Sequence, residues 1–162
     1  MADDHLPVLR DLVLKLDAQR VIELGCQFGP STLALLDALE KTGGTLTSVD
    51  IRYVPHIESD RWRFILGDDL DPAVVTQLEP ADLIFLDTSH LYEHTIRELN
   101  VYRWLVRTGG ILACHDTQVE TPLGGRHGPK FPVRVALDEF CAENGFTWSD
   151  ISPWPGLGII EF

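Results

Sequence analysis

The chain has 162 residues, 44% of them hydrophobic and 23% charged, the make-up of one globular domain with enough apolar material for its own core. Its formal net charge of −12 argues against nonspecific nucleic-acid binding, which needs Lys and Arg to neutralise phosphates. No apolar stretch approaches the ~18 residues of a membrane span, so neither nucleic acid nor membrane is an expected partner.

In chain order, residues 4–16 carry Leu6, Leu9, Val13 and Leu16 at helical spacing. An apolar run at 21–24 closes on Gly25, and 31–39 reads as a helix with Leu35, Leu36 and Leu39 on one side. After Gly43-Gly44, 45–49 is rich in strand formers and ends at Asp50. A further strand at 62–66 ends at Gly67-Asp68-Asp69. Asp71-Pro72 opens a helix that runs to about Glu79-Pro80, since a capping Asp before Pro is a helix start. The run 82–86 is a buried-strand pattern ending at Asp87. Tyr92, Ile96, Leu99, Tyr102 and Val106 continue with helical spacing up to Gly109-Gly110, read as the stop of that helix. A strand at 111–114 ends at His115-Asp116, and 117–130 is a Gly-rich loop. Val133, Leu137, Phe140 and Cys141 mark another helix, and 146–151 and 157–162 are final strands. Strands alternating with helices imply an α/β fold with a largely parallel sheet covered on both faces. The three cysteines, Cys26, Cys114 and Cys141, are odd in number and lack CxxC spacing, which reads as reduced core residues of a cytoplasmic protein. The start, Met1-Ala2-Asp3-Asp4-His5, is acidic where a signal peptide is basic and then apolar.

Ligands in such folds sit beyond the carboxyl ends of the strands, so the residue after each strand is the informative one. Those residues are Gly25 to Gly29, then Asp50, Asp68 with Asp69, Asp87 with His90, and His115 with Asp116. Gly25 and Gly29 either let the backbone approach a ligand or simply turn the chain. The dinucleotide fingerprint GxGxxG is not met, because Gln27 and Phe28 occupy its middle, and there is no phosphate-loop Gly-Lys-Ser/Thr. Asp50 is placed to accept the two hydroxyls of a ribose, or to cap a turn. Asp68 and Asp69 either meet an adenine amino group or cap the helix at Pro72.

The segment Glu23-Leu24-Gly25-Cys26-Gln27-Phe28-Gly29-Pro30-Ser31 resembles motif I of the class I S-adenosylmethionine-dependent methyltransferases. Asp50, Asp68 and Asp69 fall where that family holds the ribose and adenine. The stretch 82–117 resembles more narrowly the subgroup of macrolide-sugar and rhamnosyl O-methyltransferases and cephalosporin-hydroxylase-like proteins. The resemblance implies a single-domain Rossmann-like fold over 1–162, with a mostly parallel seven-stranded sheet, helices on both faces and an antiparallel last strand. It implies S-adenosylmethionine as cofactor, held by Glu23, Gly25, Gln27, Gly29, Ser31, Asp50, Asp68 and Asp69. It further implies a divalent metal, Mg²⁺ or Mn²⁺, on Asp87, His115 and Asp116, with His90 as general base beside Asp87. His115 departs from the subgroup, which usually has Glu there; imidazole suits Mn²⁺ and softer ions better than Mg²⁺.

The chemistry is coherent on its own terms. Methyl transfer from a sulfonium is an in-line displacement governed by positioning, and a poorly nucleophilic hydroxyl gains from a cation and a nearby base. The expected partner is a small-molecule hydroxyl acceptor, with 117–130 as lid and Arg126, His127 and Lys130 facing the acceptor, or as plain surface loop. A homo-oligomer would supply a missing pocket wall. Glu93 and His94 read as solvated helix face, Tyr92 as part core and part site wall, and Trp148 and Trp154 as packing. A non-catalytic binding scaffold is the rival reading. A nicotinamide oxidoreductase is disfavoured by the absent fingerprint and the lack of a substrate domain.

Overall fold

The apolar runs become strands and the periodic segments become helices in the computed structural model of the chain, which describes residues 5–53, 56–120 and 128–162. The elements are α1 (His5–Lys15), β1 (Arg20–Leu24), α2 (Pro30–Thr42), β2 (Thr45–Asp50), β3 (Trp62–Leu66) and α3 (Pro72–Val75). There follow β4 (Ala81–Leu86), α4 (Tyr92–Tyr102), β5 (Val106–His115), α5 (Pro132–Asn144), β6 (Trp148–Asp150) and β7 (Leu157–Glu161). The seven strands join in the order β3-β2-β1-β4-β5-β7-β6. β1 to β5 run parallel to one another, and β7 runs antiparallel between β5 and β6.

Alternate strand residues feed two cores, as the two-residue period of a strand requires. Ile22, Leu24, Ile84, Leu86, Leu112 and Cys114 face α4 and α5, meeting Leu99, Tyr102, Val133, Leu137 and Phe140. Val21, Leu83, Phe85, Ile111 and Ala113 face α1 and α2, meeting Leu9, Val13, Leu35 and Leu39. Both faces are therefore dry, and this is why the central strands read as unbroken apolar runs. Cys26, Cys114 and Cys141 are buried and form no disulfide.

Two element boundaries differ from the sequence reading. α3 is a single turn, Pro72–Val75, capped by Asp71 accepting from the Ala73 N–H at 2.8 Å. Beyond it, Gln77 and Leu78 bond three residues back, so the helix dissolves into turns. α4 ends at Tyr102, and Gly109-Gly110 lies inside β5. Between Ala81 and Leu83 the register of β4 on β5 shifts from Val106 to Ile111, so the start of β5 bulges outward. Gly109, at φ 80°, makes the bend and donates its N–H to Phe162 O at 2.6 Å.

Sheet order reverses between β1 and β4, since β1 leads outward to β2 and β4 leads outward to β5. The carboxyl ends of these two strands flank the crevice where ligands bind in open α/β sheets. No helix among the described residues is long and apolar enough to cross a membrane.

Candidate active site

At the end of β1 the chain turns through Gly25, whose N–H donates to Val49 O at 2.9 Å. Gly25 has φ 80°, and a Cβ there would lie 2.1 Å from the carbonyl oxygen of Asp87. Only glycine lets β1 and β4 leave the sheet this close together. The loop is then held from two sides. From above, Asp50 Oδ2 accepts the N–H groups of Cys26 and Gln27 at 2.9 and 3.0 Å, and its Oδ1 accepts that of Arg52 at 2.8 Å. A carboxylate has about four acceptor sites, so Asp50 keeps capacity for a ligand.

From below, Glu23 holds the loop. It is fully buried and accepts from Ser31 Oγ at 2.6 Å, Thr32 Oγ1 at 2.7 Å and Ser48 Oγ at 2.6 Å. Burial pushes its carboxyl up to about 7 against the pull of those three hydroxyls. Glu23 and Ser31 were expected as cofactor contacts. They stand beneath the loop instead, their polar atoms turned on each other, and act through it. Gly29 likewise lies behind the loop, as the left-handed cap of α2.

A cavity of about 710 Å³ opens over these strand ends, and Gly25, Gln27, Asp50, Asp68, Asp69 and Asp87 all line it. Ile51 and Tyr53 add an apolar rim. Asp68 is exposed, with Oδ1 accepting from the Leu70 N–H at 2.8 Å. Asp69 is buried, and its carbonyl accepts from the Tyr102 hydroxyl at 2.7 Å.

Asp87, His90, His115 and Asp116 meet at one end. His90 donates from Nε2 to Asp87 Oδ1 at 2.8 Å and from Nδ1 to Asp116 Oδ2 at 2.9 Å. Burial alone would lower its pKa, but the two carboxylates outweigh burial and push it up to about 10. With a carboxylate against each ring nitrogen, His90 is held toward its doubly protonated form. Burial alone would raise Asp87, but His115 and His90 hold it well below the usual carboxylate range. His115 Nδ1 stands 3.3 Å from Asp87 Oδ1 and 3.2 Å from Asp116 Oδ1. Its ring packs against that of His5, centroids 4.0 Å apart, and its buried Nε2 has no hydrogen-bond partner. His90 and Asp116 both have positive φ, 54° and 60°, a strained conformation for non-glycine residues and one that collects at functional sites.

Sequence reasoning missed three members of this region. His94, read as solvated, lines the cavity and lies 3.1 Å from Asp69 Oδ1 and 3.5 Å from Glu98 Oε1. Asp69 and Glu98 push its pKa up to about 10. Glu98 is buried and accepts from Thr88 Oγ1 at 2.7 Å. A signal existed: Glu98 falls in the buried stripe Thr95, Glu98, Leu99, Tyr102 of α4, where a carboxylate needs a reason. His5 is brought in by α1, and nothing near it in sequence announces that. Arg126 and His127 lie outside the described residues, as does half of the expected lid, 121–127. Lys130 pairs with Glu120 at 2.8 Å on the surface. Tyr92 packs on the core and gives its hydroxyl to Glu139. Trp148 packs as expected, whereas Trp154 is 56% exposed.

Residues 22–117, well over half of the chain, match the family model described as a methyltransferase domain. The chain belongs to this family. Among curated proteins, demethylmacrocin O-methyltransferase of Streptomyces fradiae is 31% identical over 77 residues. That alignment covers 45% of this chain and 20% of the relative, so the chain spans about a fifth of the length of the curated relative it matches. Among solved structures, the SAH-bound methyltransferase PaMTH1 of Podospora anserina superposes with TM-score 0.73 at 18% identity, over 98% of this chain and 77% of that one. MycE methyltransferase, in complex with Mg, SAH and mycinamycin VI, gives TM-score 0.72 at 18% identity, over 96% of this chain and 48% of its own. TomG of Streptomyces achromogenes, in complex with SAM, gives 0.73 at 16%, over 99% and 80%. At such identities the structural likeness is one of fold.

Proposed function

We propose that this methyltransferase-family chain transfers a methyl group from S-adenosylmethionine to a hydroxyl of a small sugar or natural-product acceptor, with help from a divalent cation. One observation carries the reading: Asp87 is a wall of the large cavity on one side and the partner of His90 and His115 on the other. A cofactor over the glycine loop would therefore present its methyl group next to an ionised, strained, polar cluster. The relatives that carry S-adenosylmethionine, its demethylated product, or a magnesium ion in their names support the same assignment.

In this reading Gly25 and Gln27 offer backbone to the cofactor, Asp50 takes the ribose hydroxyls, and Asp68 with Asp69 faces the adenine. The donor set fits a divalent ion. Ligand atoms of Asp87, His90 and Asp116 lie within 4.8 Å of one another, and His115 Nδ1 faces the same two carboxylates at 3.3 and 3.2 Å. Two carboxylates and imidazole favour Mn²⁺ or a softer ion over Mg²⁺. Asp87, Asp116 and His115 would hold such an ion, and the chemistry it would supply is that of a Lewis acid that lowers the pKa of a neighbouring hydroxyl. His90, after releasing its Nε2 proton to solvent, takes the hydroxyl proton there as the oxygen attacks the methyl carbon in line with the departing sulfur.

Calorimetric titration with S-adenosylmethionine, with and without Mn²⁺ or Mg²⁺ and with NAD as control, tests the cofactor. Binding of the former and no heat from NAD is the expected result; no binding under any condition defeats the reading. A second reading, cofactor binding without turnover, draws on the doubly donating His90. Mass-spectrometric detection of methylated product over a panel of hydroxylated acceptors separates the two.

A further inference from the structure

A second cluster of ligating side chains stands on the cavity wall, apart from Asp87, His90 and Asp116. Asp69 follows β3, and His94 and Glu98 lie one turn apart on α4. One ligand atom from each lies within 4.8 Å of the other two. The Tyr102 hydroxyl, 2.7 Å from the Asp69 carbonyl, fixes the β3 exit against α4, and Thr88 Oγ1 orients Glu98 at 2.7 Å.

The charges do not balance. Asp69 is 7% exposed and Glu98 1%, and among the described residues His94 is the cation paired with either. Burial accordingly holds the Glu98 carboxyl above its ordinary value, the direction expected of a buried acid that lacks a full counter-charge. Independently, Asp69 Oδ2 is buried and has no hydrogen-bond partner. A cation there would satisfy that oxygen and hold both carboxylates ionised. Two carboxylates and one imidazole, with positions left open toward a cavity, form a donor set for Mn²⁺, Fe²⁺, Co²⁺ or Zn²⁺ rather than for Ca²⁺ or Mg²⁺, which ask for oxygen throughout. Thr88 plays the outer partner that fixes a ligating carboxylate.

We infer that Asp69, His94 and Glu98 form a second divalent transition-metal site on this chain, distinct from the one proposed around Asp87. The inference does not depend on methyl transfer; with Asp69 on a cation, the adenine contact proposed above falls to Asp68 alone.

The test uses the whole chain, stripped with chelator and titrated with cobalt(II) chloride. The double variant Asp87→Asn/Asp116→Asn disables the first centre. It is expected to retain one cobalt ion per chain, with visible absorption bands of a nitrogen- and oxygen-ligated ion. Adding His94→Gln is expected to weaken that binding at least tenfold, a typical loss for a site deprived of a binding partner. A double variant that binds no cobalt overturns the inference, and so does cobalt binding that His94→Gln leaves unchanged. Circular dichroism checks that the triple variant is folded. Should it not fold, the double variant alone decides: paramagnetic broadening of the His94 ring resonances supports the site, and sharp resonances at saturating cobalt overturn it.

Discussion

The two ends of the parallel strands treat charge in opposite ways. At the amino ends the charges around Asp82 are matched. Asp82 Oδ2 accepts the backbone N–H groups of Gln19 and Arg20 at 2.8 and 2.9 Å, and Oδ1 accepts from Arg107 at 3.0 Å. Arg20 also pairs with Glu79, and Arg61 bonds the Gly43 carbonyl. At the carboxyl ends Asp87 and Asp116 crowd onto the same two histidines, His90 and His115, and among the described residues His115 Nε2 and Asp69 Oδ2 have no hydrogen-bond partner. Four of the five described non-glycine residues with positive φ, namely Gln27, His56, His90 and Asp116, stand on that side. One end uses polar groups to tie strands together; the other keeps costly arrangements that only a ligand or a reaction would justify.

The sharpest way to break this contrast is Asp87→Asn. If the carboxyl end is built for chemistry, methyl transfer should fall by about 10²–10⁴-fold, the usual size of a lost acid–base or charge-stabilising group. The thermal midpoint should move by only a few degrees, about 1 kcal/mol's worth for a domain of this size. Activity comes from product formation and the midpoint from a calorimetric melt. A midpoint that collapses together with activity would make Asp87 a structural residue and dissolve the contrast.

Glu23 sharpens the contrast from within, because it is a carboxyl-end residue that serves structure. Burial raises its carboxyl from 4.5 to about 7, so the folded chain holds a proton there that the unfolded chain releases. The stability this group contributes is full below pH 4.5 and is lost as pH rises through about 7. The loss runs at up to about 1.4 kcal/mol per pH unit and totals on the order of 3 kcal/mol. Glu23→Gln, which mimics the protonated form, should flatten that part of the pH dependence. Urea midpoints at pH 5 and pH 8 measure it. Parallel losses in wild type and variant would mean that Glu23 is ionised throughout and that its three hydroxyl partners carry the charge.

How much of this could be read beforehand follows the range of the interactions involved. The strands and the polar residue after each were legible because strand burial and chain reversal are local: Asp50, Asp68 and Asp87 needed only the position where an apolar run stops. Gly109-Gly110 misled because glycine pairs usually end helices, and only the return of β7 to pair with β5 turns this pair into a bulge. Glu23 and Ser31 carry the right motif, yet the motif does not say which of its members touch a ligand and which brace the loop from beneath. His94 and His5 were lost for a third reason. Their surroundings come from β3 and β5, distant in the chain, and a histidine on a helix gives no local sign of which way it faces.

The smallest effect tests the amino end. Asp82→Ala leaves the N–H groups of Gln19 and Arg20 and the Arg107 guanidinium without their acceptor. Burial would raise the Asp82 carboxyl, but those three donors outweigh it and hold it below its ordinary value, so it is ionised at neutral pH. The side chain is one-fifth exposed, and water can reach part of the vacated space. The expected cost is therefore about 1–2 kcal/mol, at the lower part of the range for stranded donors. Chemical denaturation reads that loss, and calorimetry on the same variant reads S-adenosylmethionine affinity, which should stay within about twofold because the cavity is at the far end of every strand. A variant that keeps its stability and loses cofactor affinity would mean that the strand ends communicate. The division between a bracing end and a reactive end would then have to be drawn somewhere other than along the sheet.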